Sequence, residues 1–248
     1  MATKARGSSP AVFAYIIRTV GKGYQLTGDV PKEVEDRIFF GPCKRRMRPE
    51  IRRGDYVMGI SPAGIGKHRR ILLWMRVAEA MSFADAFDRG EHGDSAFKAA
   101  RPRAIHVEPR DLRHFVRGNP DSYKHIKNGT HGKNNEWRRD IIGSRDVMFI
   151  GDRSSWIAEG NGPTVTEEIL ALIKPGIWWK GSPTIKNPLT ENARGKHARL
   201  ENQDAQRVIR WILRHIPKQE NRASGSRTGR CADTGIIKGK QPRHTGSC

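Results

Sequence analysis

The apolar residues of this chain come in short runs, and the runs are strand-like. AVFAYIIR (11–18), IFFG (38–41), YVMGI (56–60) and RDVMFIGD (145–152) are rich in β-branched and aromatic side chains and are bounded by Gly, Pro, Asp or Arg. RILLWMRVAEAM (70–81) alternates at Ile71, Leu73, Met75 and Val77, which favours a strand. Leu72, Trp74 and Ala78 fill part of the other face and keep a helix open. Helical signals gather late. In PTVTEEILALIK (163–174), Thr164 and Glu167 have capping-box spacing, and Val165, Ile169, Leu172 and Ile173 make one stripe that Pro175 and Gly176 end. A second helix is expected over about 200–216, with Leu200, Ala205, Val208, Ile212 and Ile216 near helical spacing and Pro217 as the stop. SFADAFDR (82–89) fits a short helix capped by Ser82, with Asp85 in its first turn. Strands early and helices late predict an α+β domain built on a curled sheet or a small β-barrel, with flanking C-terminal helices.

The expected organisation is a polar leader over 1–10, one domain over 11–216 and a basic, disordered tail over 217–248, rich in Gly, Ser, Lys and Arg. Residues 109–140 form a long segment dense in His, Asn, Gly and Arg, the kind of irregular stretch that is functional or mobile in a compact chain. No stretch approaches the ~20 apolar residues of a membrane span. The apolar run near the start is short and broken by Arg18, unlike a secretory signal. Cys43, Cys231 and Cys248 form no CxxC pair, which argues against a zinc ribbon or a dithiol redox motif and fits a cytoplasmic protein.

Charge points to a partner. Lys and Arg number 46 against 26 Asp and Glu, a formal net charge of +20. Self-repulsion on that scale is relieved by an anion, and a polyanion gains further from counterion release. Lys44, Arg45, Arg46, Arg48, Arg52 and Arg53 put six cations and one acid into ten residues, and guanidinium forks match phosphate oxygens. The loop SPAGIGKHRR adds Lys67 and Arg69. It is not a P-loop, because Ser61 stands where the first Gly is needed and His68 where Ser or Thr is needed.

Trp156 and Trp74, with Trp178 and Trp179 in an aromatic loop, are candidates to stack on a base, weighed against simple packing. Asp55, after Gly at a strand start, fits a turn-fixing carboxylate. If the protein is an enzyme, His131, Asp140 and Asp152 are the acid–base candidates and Cys43 the candidate nucleophile. The histidines show no metal-ligating spacing, so neither a metal nor a cofactor is expected.

FAYIIR, FFGPCKRRMRPEIRRGDYVMGIS, RILLWMRVAEAMSFADAF, RDVMFIGDRSSWIAEGNGPTV and GKHARLENQDAQRVIRWILRHI, in that order, resemble the second type of nucleotide modification associated domain. The similar blocks span roughly 11–216 with a divergent middle. The resemblance places Cys43 and Lys44 in a G-x-C-K-like block, Arg48 and Arg52 in the basic stretch leading to Gly54 and Asp55, and Asp152 at an acid after a strand. RSSWIAEG replaces the family's usual aromatic-rich strand there and leaves Trp156 as the aromatic stand-in. The resemblance implies a phage or bacterial setting in which DNA bases are modified or modified bases are recognised. DNA is then the expected partner in preference to RNA, alongside proteins of a modification system and no membrane. A more distant similarity is to PUA-like and EVE-like barrels. Three readings stay open: a nucleic-acid-binding module, an enzyme acting on a nucleobase or nucleotide, and a non-catalytic accessory subunit.

Overall fold

A computed structural model of the chain describes residues 9–17, 19–27, 31–62, 64–101, 104–126, 135–158, 160, 162–173 and 197–215, all within one compact unit. Its centre is a mixed sheet: β1 (Val12–Ile16), β2 (Lys32–Val34), β3 (Arg37–Phe40), β4 (Tyr56–Ile60), β5 (Ile71–Met81), β8 (Met148–Gly151), β9 (Trp156–Ile157) and β10 (Ala198–Leu200). The order is β10-β1-β4-β5-β8-β3-β2, and β9 continues the line of β8 along the same side of β5. β1 and β4 run parallel, with Val12 opposite Tyr56; the other pairings are antiparallel. A small β6 (Val107–Pro109) and β7 (Tyr123–His125) pair separately.

The α+β expectation holds, and among the described residues the sheet is curled but does not close into a hydrogen-bonded barrel. β1 and β3 are separated by three strands, which puts them about 19 Å apart in a flat sheet. The rings of Tyr15 on β1 and Phe40 on β3 nevertheless lie 5.7 Å apart, so the strands between them curve round a shared interior. Phe13, Tyr15, Ile17, Ile38, Phe40, Val57, Leu73, Met75, Val77 and Phe149 fill that interior. Gly59 on β4 keeps it tight: a Cβ there would stand 2.4 Å from Ile17 Cδ1.

The segment 41–51 runs between the β10 edge and the chain that enters β8, and buries Met47 and Ile51 in the interior. On one side Glu50 bonds His197 and Arg199 at β10. On the other, Arg48 bonds the chain just before β8. This basic stretch does not continue a ladder, because its backbone turns: a turn and a 3-10 helix (Arg48–Glu50) lie between Cys43 and Ile51.

Two helical groups cover the outside. α5 (Asn202–His215) and α4 (Glu167–Ile173) pack Val208, Ile212, Trp211, Ile169 and Ile173 against Val12, Ala14, Met58 and Trp74. α1 (Phe83–Glu91), α2 (Ser95–Ala100) and α3 (Glu136–Ile141) cover Phe39, Met148 and Ile150. With both faces covered, β5 carries apolar residues on both, and this is why its alternation reads as blurred. α1 has the expected cap, with Ser82 accepting from Asp85 N–H and Asp85 reaching back to Ser82 N–H. α4 begins later than the sequence suggests. Thr164 forms a β-bridge with Arg70, and Thr166 Oγ1 accepts from Ile169 N–H in place of the Thr164–Glu167 box. Leu200, expected in the last helix, ends β10 instead.

Candidate nucleic-acid interface

The six cations of 44–53 divide by environment. Arg48 is wholly buried, so its reading as a phosphate contact is corrected. Its Nε donates to the carbonyl of Cys43 at 3.1 Å. Nη1 donates to those of Arg145 and Val147, and Nη2 to that of Asp140, each at 2.5 Å. The fork is spent on main chain, where it ties 43–48 to 140–147. Burial pushes this guanidinium down to about 10, and the nearby Asp140 and Asp146 work against that fall. Lys44 lays its ammonium 4.8 Å over the Tyr15 ring, and Arg45 is half-buried. Arg46, Arg52 and Arg53 are exposed.

The Arg52–Arg53 turn is held from beneath. Asp55, 4% exposed, accepts from Arg52 N–H at 2.8 Å and from Ala11 N–H at 2.9 Å, the turn-fixing role its position suggested. Gly54 N–H then joins Val77 on β5. Gly54 has φ +88°, a left-handed conformation that favours glycine and lets the chain enter β4 directly after two exposed arginines. A second turn lies level with this one, between β8 and β9. Asp152 Oδ1 accepts from Ser154 N–H and Oγ, and its other oxygen pairs with exposed Arg76 at 3.4 Å. Arg153 stands exposed on that turn. Arg52, Arg53 and Arg153 pair with no acid among the described residues.

Lys67 and Arg69 do not join this group. They lie at the opposite end of the β4–β5 hairpin, where Ser61 meets Arg70, about 20 Å away at the rise of a strand. Arg69 donates to Ser61 O, and burial lowers its guanidinium from the ordinary value.

The base-stacking reading is also corrected. Trp74 is 1% exposed and stacks on Tyr56 at 4.8 Å; Trp156 is 7% exposed and sits opposite Trp74 across β5–β9. Both belong to the core beneath α4 and α5. Trp156 looks like a loop residue because β9 has only two residues, and its partner strand lies 82 positions earlier. Trp178 and Trp179 lie outside the described residues.

The three catalytic candidates among the described residues do not gather. His131 lies outside the described residues. Cys43 and Asp140 meet only through Arg48, and Asp140 is 5% exposed. The Cys43 thiol makes no hydrogen bond among the described residues; it lies beside buried Tyr15, whose phenol burial pushes well above its ordinary value. Asp152 stands at the far end of β8, roughly 15 Å from the Arg48 contacts.

One polar cluster escaped the sequence reading. His197, 2% exposed, meets Glu50 at 3.2 Å, and Arg199 meets the same carboxylate at 3.4 Å and also pairs with Glu201. Burial opposes ionisation of Glu50, but the hydrogen bonds and charges of His197 and Arg199 outweigh it and hold the carboxyl below its ordinary value. Nothing local marks this cluster, since Glu50 and His197 are 147 positions apart. Among the described residues no group of His, Cys, Asp and Glu could hold a metal ion, and no helix is long and apolar enough to cross a membrane. No family model matches the chain, and no curated protein or solved structure is significantly similar to it.

Proposed function

We propose that this protein binds nucleic acid, DNA in preference to RNA, through the turn that carries Arg52 and Arg53. The observation that supports this most directly is a pair of exposed guanidinium groups, unpaired with any acid among the described residues, on a turn whose backbone the buried Asp55 fixes. Pre-set donors lose little freedom when a phosphate arrives. The charge is not a property of the last residues alone. Residues 217–248 hold seven Lys and Arg against two acids, which leaves +15 of the +20 on residues 1–216. The resemblance to nucleotide modification associated domains supplies the setting: a PUA-like curled sheet in the cytoplasm, serving DNA modification or the recognition of modified bases beside other proteins of such a system.

The test is a salt titration of the full chain on a 20-base-pair duplex, followed by fluorescence anisotropy. Each lost phosphate contact lowers the slope of log affinity against log salt by about 0.9, so Arg52→Ala/Arg53→Ala should lower it by about 2. An unchanged slope and affinity would overturn the reading.

A further inference from the structure

The turn at Arg52 and Arg53 has a neighbour on the same rim. At the end of the sheet where β1 and β4 begin, five positions follow one another across adjacent strands. Asn202 follows β10, Ser9 precedes β1, Arg52 and Arg53 precede β4, Arg76 on β5 faces Tyr56, and Arg153 lies beyond β8. Four strand spacings make this rim about 20 Å long. Ser9 is two residues from Ala11, whose N–H donates to the same Asp55 carboxylate that fixes Arg52.

α5 leaves from this rim. Its buried side, Ala205, Val208, Ile209 and Ile212, fastens it to the sheet. Its outer side shows Gln203, Arg207, Arg210 and Arg214, spaced so that all four share one face. The three arginines span about 10 Å of helix, the axial rise of about three nucleotides of one strand. Arg207 reaches Asp204 only at 3.8 Å, and Arg210 and Arg214 pair with no acid among the described residues. Between this face and Ser9 is an open depression of about 450 Å3, lined by Ser9, Asn202, Gln203, Gln206, Arg207 and Arg210. Every lining side chain is polar. Two are guanidinium groups suited to phosphate, and three are carboxamides that can both donate to and accept from a base edge.

We infer that a nucleic-acid strand lies along this rim, from the Arg52–Arg53 turn over Ser9 and onto the outer face of α5. Arg207, Arg210 and Arg214 take phosphates, and the carboxamides of Asn202, Gln203 and Gln206 meet sugar or base. This rests on the proposed nucleic-acid binding and extends it to residues that the charge cluster at 44–53 does not include.

The experiment uses the full chain and the same duplex, with a single-stranded 20-mer beside it. Arg207→Ala/Arg210→Ala/Arg214→Ala should reduce the salt slope by about 2 to 3, one for each phosphate contact. Its thermal transition should match the parent's, because all three side chains are exposed. Arg210→Ala alone, in the middle of the row, should remove about one. Gln203→Ala/Gln206→Ala should weaken binding and leave the slope where it was. If the parent binds and Arg52→Ala/Arg53→Ala weakens it, while the α5 variants bind as the parent does, the track is wrong and the first proposal stands. A parent that binds neither nucleic acid, or binds only anionic vesicles, overturns both.

Discussion

Arg48→Met is the sharpest probe of what the basic stretch does for the fold. The substitution keeps an unbranched stem and removes four donors from a site with no water access. Hydrogen bonds from a charged donor are each worth about 1.5 kcal/mol at the low end, so four give about 6 kcal/mol. The change also removes a buried charge. The fall of this guanidinium from 12.5 to about 10, at 1.36 kcal/mol per unit, sets that relief at about 3 kcal/mol. The net expectation is a loss of about 3 kcal/mol, or a melting point lower by about 6–12 °C for a domain of this size. Urea unfolding of the full chain, followed by tryptophan fluorescence, measures it. Arg48→Lys should recover only part, since an ammonium cannot span carbonyls contributed by Cys43, Asp140, Arg145 and Val147. A destabilisation under about 1 kcal/mol would refute the reasoning, because four orphaned carbonyls cannot be neutral in a dry site. Loss of nucleic-acid affinity by folded Arg48→Met, equal to that of Arg52→Ala/Arg53→Ala, would refute it from the other side.

Glu50→Gln tests the His197–Arg199 cluster. A carboxyl held below its ordinary value adds stability above that value, 4.5 for glutamate, and the contribution is lost as pH falls through the lower folded value. The parent should therefore melt higher than Glu50→Gln at pH 7, with the difference closing at strongly acid pH in calorimetry; a difference that widens there contradicts the assignment. Asp55→Ala strands the N–H groups of Ala11 and Arg52, at about 2–4 kcal/mol together, and should weaken DNA binding by loosening the arginine turn. Chemical denaturation and anisotropy on the same sample check both effects. Lys67→Ala, at the far end of the β4–β5 hairpin, should leave the salt slope of DNA binding unchanged; a fall of about one unit would move the track to that end.

The strands of the interior were readable because each carries its own composition: 11–18, 38–41, 56–60 and 145–152 all contain strands where expected. So was the Ser82 cap, a signal confined to four residues. What failed depended on distant partners. Trp74 and Trp156 look like platforms for a base until β9 is laid against β5. Arg48 looks like its neighbours until the carbonyls of 140–147 arrive around it. Arg207, Arg210 and Arg214 lie on the polar side of a helix, but that helix starts on the rim of the Arg52–Arg53 turn only because β10 and β1 lie side by side. Lys67 and Arg69 are near the cluster in number and far from it in space, because a hairpin carries its two ends apart.

The place of β1 decides how this chain can be cut or grown. Val12 pairs with Leu200, 188 positions away, while its other side is occupied by β4. A nascent chain must therefore hold its first strand half-satisfied until nearly the whole domain has been synthesised. The local β4–β5 hairpin is the natural early structure, and the β10–β1 closure the slow, late one. A product truncated after α4 would keep β1 as an open edge of five apolar residues, Val-Phe-Ala-Tyr-Ile, with its main-chain groups offered to any other chain. Such fragments should aggregate through that edge, so the three residues of β10 act as the molecule's guard against self-association.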